Sequence, residues 1–327
     1  MAKSDDAAVA PGRRRDDWHG LPEWNARSAV RSKHSSYALP PPAELECELR
    51  ERAWFPNALM PYAEHPEIYR AERNIRQRLA ANHLVYFLSY TTQLEHRIVN
   101  RAVETLVHDE LSVTLPHEMK VAALQLYTDE GYHALFSHVL AEQVAKAHAM
   151  PVGENTPKRI RQMYELLERV APQLRSLTWF LLGFVSETII TRELQAITRE
   201  SLVSTVFQML QEHLEDEARH SRYFCDAFHY LWGRLEPELQ EASVSLLVEI
   251  ILIFAEVDDM WLLASFADAG IDAANADACL AAMHDTAARS ERARRVAAAT
   301  LQALERAGFF RQPANRKRFV EEGLLDG

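Results

Sequence analysis

Glycine is scarce: 10 residues in 327, too few for the frequent turns of a many-stranded sheet, while Leu, Ala, Glu and Arg are plentiful and favour long helices. An all-α chain is expected. Cysteine is scarcer still. Cys47, Cys225 and Cys279 are odd in number and far apart, which gives neither a disulfide framework nor a cysteine-based metal knuckle and fits a reducing compartment, the cytoplasm. Positive charge is in deficit, with a formal net charge of −11. Phosphate binding needs a basic stripe, and here the arginines are mostly interleaved with acids, so no nucleic-acid partner is expected. Long apolar runs are missing as well. The longest, Val244 to Val257, is broken by Glu249 and Glu256, and the start of the chain carries charges and Pro11 but no apolar signal-peptide core. Neither a membrane span nor a signal peptide is expected.

Residues 1–35 are polar, with RRRDD at 13–17, and read as a flexible N-terminal arm preceding one helical domain over residues 36–327. Pro40, Pro41, Pro42, Pro56 and Pro61 space out a loop-rich lead-in, and helical periodicity, with the core, is expected to begin near Pro66. Apolar residues at three-to-four spacing predict helices over 67–82, 84–110, 117–148, 158–170, 173–200, 202–232, 236–267, 272–284 and 286–307. Pro116, Pro151, Pro157, Pro172 and Pro237 fall at or between these segments, where a missing N–H costs little.

Two of the predicted helices echo one another, DEGYH at 129–133 and DEARH at 216–220. Each contains Glu-x-x-His: Glu130 with His133, and Glu217 with His220. Three residues turn an α-helix by about 300°, so each Glu and His share a face and can grip one ion. A single copy in a Glu-rich chain with 14 histidines would mean little. Two copies facing each other across a bundle make the middle of a dinuclear site, which also needs one Glu from each of two further helices. Glu95 lies 35 residues before Glu130, and Glu187 lies 30 before Glu217. Leu88, Ile98 and Val99 around the first, and Phe180, Phe184 and Ile190 around the second, turn these acids inward, where an unpartnered carboxylate is costly and an ion explains it. Glu193, on the same helix as Glu187, also has apolar neighbours and stands as the alternative ligand. His213, one turn before Glu217, adds a third imidazole to the stripe. Asp129 and Asp216, each beside a ligand Glu, are placed to orient ligand imidazoles. Phe87, Leu94, Phe184, Ile190 and Thr191 are candidates to line a substrate cavity. The run Arg289, Arg292, Arg294 and Arg295 on a late helix could offer a cation to an acidic substrate, but reads more readily as a solvated face. No role falls to His96, His108, His117, His138, His148 or His229.

The order Glu, DExxH, Glu, HxxDExxH resembles the AurF-like non-haem di-iron N-oxygenases, the family of p-aminobenzoate N-oxygenase and of the arylamine oxygenase of chloramphenicol biosynthesis, from about residue 60 to 310. The resemblance implies a ferritin-like, ribonucleotide-reductase-like four-helix core with additional helices. It implies seven ligands to two iron ions, Glu95, Glu130, His133, Glu187, His213, Glu217 and His220, with Glu130 and Glu217 bridging. It further implies a homodimer, an external electron donor, and oxidation of an amine by dioxygen to the hydroxylamine, nitroso or nitro level in natural-product biosynthesis. His213 separates this pattern from the two-histidine sets of ribonucleotide reductases, desaturases and ferritins. Near Glu95 the positions Phe87, Leu88 and Leu94 are apolar, with no counterpart to the polar set that holds an aromatic carboxylate in the p-aminobenzoate enzyme. A different small amine, hydroxylamine or oxime-like intermediate, free or tethered to a carrier protein, therefore stays open as substrate. So do manganese in place of iron, a di-iron carbon hydroxylase or desaturase, and a non-catalytic iron-binding helical protein.

Overall fold

The computed structural model of the protein describes residues 20, 21, 23–33, 36–150, 156–197 and 201–326, all in helices and connections, with no β-strand among them. Four short helices lead in: α1 (Trp24–Arg27), α2 (Ala29–Ser32), α3 (Pro42–Glu48) and α4 (Pro66–Tyr69). The central bundle follows. Its first rod is α5 (Arg73–Gln93), a π-helical segment (Leu94–Val99) and α6 (Asn100–Val107) in unbroken succession. Its other members are α7 (His117–Ala147), α9 (Arg175–Ile197) and α10 (Ser204–Trp232), with α8 (Lys158–Arg169) between α7 and α9. Around it lie α11 (Pro237–Ala255), α12 (Asp259–Ala269), α13 (Ala273–His284), α14 (Thr286–Arg306) and α15 (Pro313–Glu321).

The all-α expectation is met. The predicted break between residues 82 and 84 is absent, and α5 runs straight through it. The segment predicted as one helix over 236–267 is instead divided at residues 256–258. There Lys158 binds the Glu256 carboxylate and the Val257 carbonyl, and the Asp258 side chain accepts from the backbone N–H of Trp261 to start α12. The predicted helical stretch at 198–200, the arm residues 1–19, 22, 34 and 35, and Pro151 lie outside the described residues. The core begins earlier than Pro66: Trp54, Phe55 and Tyr62 from the proline-rich lead-in are among its most deeply buried side chains. A bridge between Ala53 and Leu202 ties that lead-in to the start of α10.

Two apolar regions make up the interior. One gathers Ile98, Leu126, Phe184, Phe224 and Phe228 with residues of α11 and α14. The other gathers Phe55, Leu84, Phe136, Ile190 and Met209 with residues of α12 and α13. Along α7, α9 and α10 the change from one region to the other falls at the buried acids and histidines, which form a polar layer between them. No helix among the described residues is long and apolar enough to cross a membrane.

Candidate metal centre

Four helical elements supply that polar layer. Glu95 comes from the π-helical segment, where one extra residue per turn re-aims side chains, a geometry often found at functional positions. Glu130 and His133 come from α7, Glu187 from α9, and His213, Glu217 and His220 from α10. All seven are essentially inaccessible, Glu95 and Glu187 at 1% exposure and the others at 0%.

Six of them converge in two overlapping groups: Glu95, His133, His213 and Glu217, and Glu130, His133, Glu217 and His220, the donor atoms of each lying within 4.8 Å of one another. His213 Nε2 is 2.8 Å from Glu95 Oε1 and 3.2 Å from Glu217 Oε1. His133 Nδ1 is 3.1 Å from Glu217 Oε1, and His220 Nδ1 is 2.7 Å from Glu130 Oε1. Glu217 and His133 belong to both groups, whereas Glu130 belongs to one. Glu187 is in neither but lies close enough for Glu217 and Glu130 to repel its charge, which together with burial holds its carboxyl well above the usual range. Glu193 lies elsewhere, beside Tyr90 and Arg159.

These contacts are short, yet they are not hydrogen bonds. Both oxygens of Glu95, Glu130 and Glu217, one of Glu187, Nδ1 of His133 and His220, and both ring nitrogens of His213 are buried without a hydrogen-bond partner among the described residues. Lone pairs therefore face lone pairs, a costly arrangement unless a cation stands between them. Protonation tells the same story. Burial, with Glu217 nearby, pushes Glu130 up to about 7, and although burial disfavours charge on His213, the Glu95 carboxylate outweighs it and lifts the imidazole to about 9. Burial likewise opposes ionisation of Glu217, but the imidazoles of His133, His213 and His220 pressed against it hold it well below the usual range. The layer draws in positive charge. Hard carboxylate oxygens with imidazole nitrogens suit iron or manganese, and seven such donors fit a pair of ions.

The outer nitrogens of two histidines are fixed crosswise. His133 Nε2 is 3.0 Å from Asp216, and His220 Nε2 is 3.1 Å from Asp129, so each Asp of one DExxH copy serves the His of the other. This leaves both Nδ1 atoms facing the cluster, the usual carboxylate–histidine arrangement at metals.

A cavity of about 110 Å³ opens beside the layer, lined by Phe87, Tyr90, Arg159, Glu193 and Trp261 among others. Phe87 is there as expected. Leu94, Phe184 and Ile190 instead pack in the apolar core, while Thr191 bonds the carbonyls of Glu187 and Glu217 and borders a separate groove. Arg292 joins the cavity wall. Sequence reasoning missed Arg159, His83 and Trp261, because apolar periodicity gives no sign that a polar residue faces a cavity. It also missed Trp24 and Ser28, whose partners are about a hundred residues away.

The model of the p-aminobenzoate N-oxygenase AurF family matches residues 28–308. The chain is 25% identical over 223 residues to 4-aminobenzoate N-oxygenase of Streptomyces thioluteus, an alignment covering 66% of each protein. With the matched region containing all seven clustered or neighbouring acids and histidines, the chain belongs to the family of p-aminobenzoate N-oxygenase AurF.

Proposed function

We propose that the protein is a di-iron oxygenase that transfers oxygen to the nitrogen of a small amine. The observation that carries this reading is the layer of buried carboxylate and imidazole lone pairs with no hydrogen-bond partners. Glu95, Glu130, His133, His213, Glu217 and His220 would hold the metal, with Glu187 completing the set. The irons, when bound and reduced, supply dioxygen activation. In balance, amine, dioxygen, two electrons and two protons give hydroxylamine and water, the electrons coming from an external redox partner; the homodimer implied by the family belongs to the same proposal.

The chain's own residues do the rest. Leu88, Ile98 and Phe184, none more than 0% exposed, exclude water from the layer and so limit stray protonation. Asp129 and Asp216 keep the imidazoles in ligand orientation. Substrate enters the cavity beside Tyr90, which lies five residues before Glu95 and thus about 7 to 8 Å away along the rod. The Tyr90 hydroxyl is buried without a hydrogen-bond partner among the described residues. The Arg159 guanidinium, 5.7 Å from the Tyr90 ring, donates from Nε to the Glu256 carbonyl and is drawn to Tyr90 and Glu193 on the same cavity wall, with no carboxylate in salt-bridge contact among the described residues. Together they support a compact amine bearing an anionic or strongly accepting group at its far end.

The test is metal analysis of the purified protein, followed by reduction and a single exposure to oxygen with a panel of amines. About two irons per chain and a product gaining oxygen on nitrogen are expected. A product oxidised on carbon would make the protein a hydroxylase. Iron bound without oxygen consumption would make it a binding protein.

A further inference from the structure

Residues 24–32 reach the metal centre from outside the four-helix bundle. Trp24 Nε1 donates to Asp129 Oδ2 at 2.9 Å, and Ser28 Oγ to Asp129 Oδ1 at 2.5 Å. The backbone N–H of Ala29 donates to Asp216 Oδ2 at 3.0 Å. These are the two aspartates that hold His220 and His133 by Nε2. One short segment thus touches both halves of the centre at the same remove.

The local sequence is spent on these contacts rather than on its own helix. Ser28 is the N-cap of α2, where a serine hydroxyl ordinarily accepts from its own helix's N–H groups. It makes no such bond, and its hydroxyl goes to Asp129 while the adjoining N–H goes to Asp216. Ser28 is 0% and Ala29 1% exposed, so their two contacts are shielded from solvent, while that of Trp24 is half-buried. An indole N–H can only donate. With Trp24 and Ser28 both donating to Asp129, that carboxylate is left to accept from His220 Nε2, which selects the tautomer whose Nδ1 lone pair faces Glu130.

We propose that residues 24–32 are a clasp on the metal centre, with Trp24 and Ser28 as positioning residues that hold Asp129, and through it His220, in ligand geometry. It rests on the reading of the layer as a metal site. Because the clasp favours the arrangement that binds metal, metal must in turn favour the docked clasp by the same factor.

The experiment compares wild type with Trp24→Phe, Ser28→Ala and Ser28→Thr by anaerobic Fe(II) titration and by the rate of iron release to a chelator. In parallel, backbone hydrogen exchange of residues 24–32 is measured in wild type with and without Fe(II). Affinity should fall about tenfold in Trp24→Phe and in Ser28→Ala, with faster release. Ser28→Thr, which keeps the hydroxyl, should restore most of it. Exchange in the segment should slow when Fe(II) is bound, a readout that needs no variant to fold. If wild type binds Fe(II) but exchange is unchanged and the variants hold iron as wild type does, the clasp is wrong. If wild type binds no Fe(II), the metal site itself is wrong.

Discussion

Helices α9 and α10 carry two buried halves of opposite chemistry. In one, Phe184 and Phe228 stack at 4.5 Å, Phe228 and Trp232 at 5.8 Å, and Trp232 meets Phe309 at 4.8 Å. In the other, starting at Glu187 three residues beyond Phe184, carboxylate oxygens and the imidazole nitrogens that face them lack hydrogen-bond partners among the described residues. Phe184, Phe228, Glu217 and His220 are equally hidden from solvent, so burial is not the difference. Each phenyl ring in the first half contributes roughly 1.5 to 3 kcal/mol through burial, and ring pairs add about 0.5 to 1.5 kcal/mol. Unpartnered carboxylates work in the opposite direction. The aromatic half holds two helices in register so that the polar half can keep an arrangement it would not adopt alone.

The sharpest way to break this comparison is Glu217→Ala. Glu217 belongs to both donor groups, so its loss should weaken iron binding by at least about a hundredfold, measured as metal content after dialysis, while the metal-free protein stays folded. Metal retained at wild-type level would mean the polar half is only a hydrogen-bonded core. Phe228→Ala should do the converse. With Phe228 at 1% exposure between Phe184 and Trp232, truncation should cost about 3 to 5 kcal/mol in denaturant unfolding, and the molecules that remain folded should still bind iron.

How much of this is legible before the structure depends on distance along the chain. Glu130 with His133, and Glu217 with His220, announce themselves because helical spacing puts each pair on one face. Glu95 and Glu187 needed only apolar neighbours. By contrast, Asp129 sits one turn before His133 yet bonds His220, and Asp216 likewise crosses to His133. Only tertiary packing decides that. Trp24–Ser32 lies inside the segment read as an arm on polar composition, but its donors point inward at two buried aspartates, a use of polarity that composition does not reveal. The break between α11 and α12 was hidden for a related reason. Apolar residues at helical spacing resume on both sides of it with no Gly or Pro between, and Lys158 from another helix captures Glu256 and the Val257 carbonyl.

Gly183 sharpens the aromatic side of the comparison. It sits mid-helix in α9, where alanine would ordinarily gain about 1 kcal/mol. A Cβ there would stand 2.4 Å from Ala102 Cβ and 3.1 Å from the Phe224 ring, because α6 and α9 approach closely at this point. Gly183→Ala should therefore destabilise, by about 1 to 3 kcal/mol, and Ala102→Gly should recover part of the loss in a double-mutant cycle. Additive effects would mean that the helices separate freely here.

The smallest expected effect compares histidines. Carboxylates around His133, His213 and His220 overcome burial and raise them. His83 is also buried, stacked on Phe55 at 4.8 Å and bonded through Nδ1 to the Tyr62 hydroxyl, but it has no carboxylate partner among the described residues. Burial, reinforced by the Arg159 cation, lowers it to about 3. Its folded pKa lies below the unfolded value of about 6.5, so the unfolded chain takes up the proton first. Stability is complete above about pH 6.5 and is lost as pH falls from there toward about 3. Between about pH 7 and pH 5 the loss from this residue should be on the order of 1 to 2 kcal/mol. His83→Gln should remove it, so that the difference between variant and wild type in urea unfolding shifts in the variant's favour on acidification. A difference that stays constant with pH would show that His83 accepts its proton in the folded protein, and that the aromatic surroundings impose less on an imidazole than the absence of a carboxylate suggests.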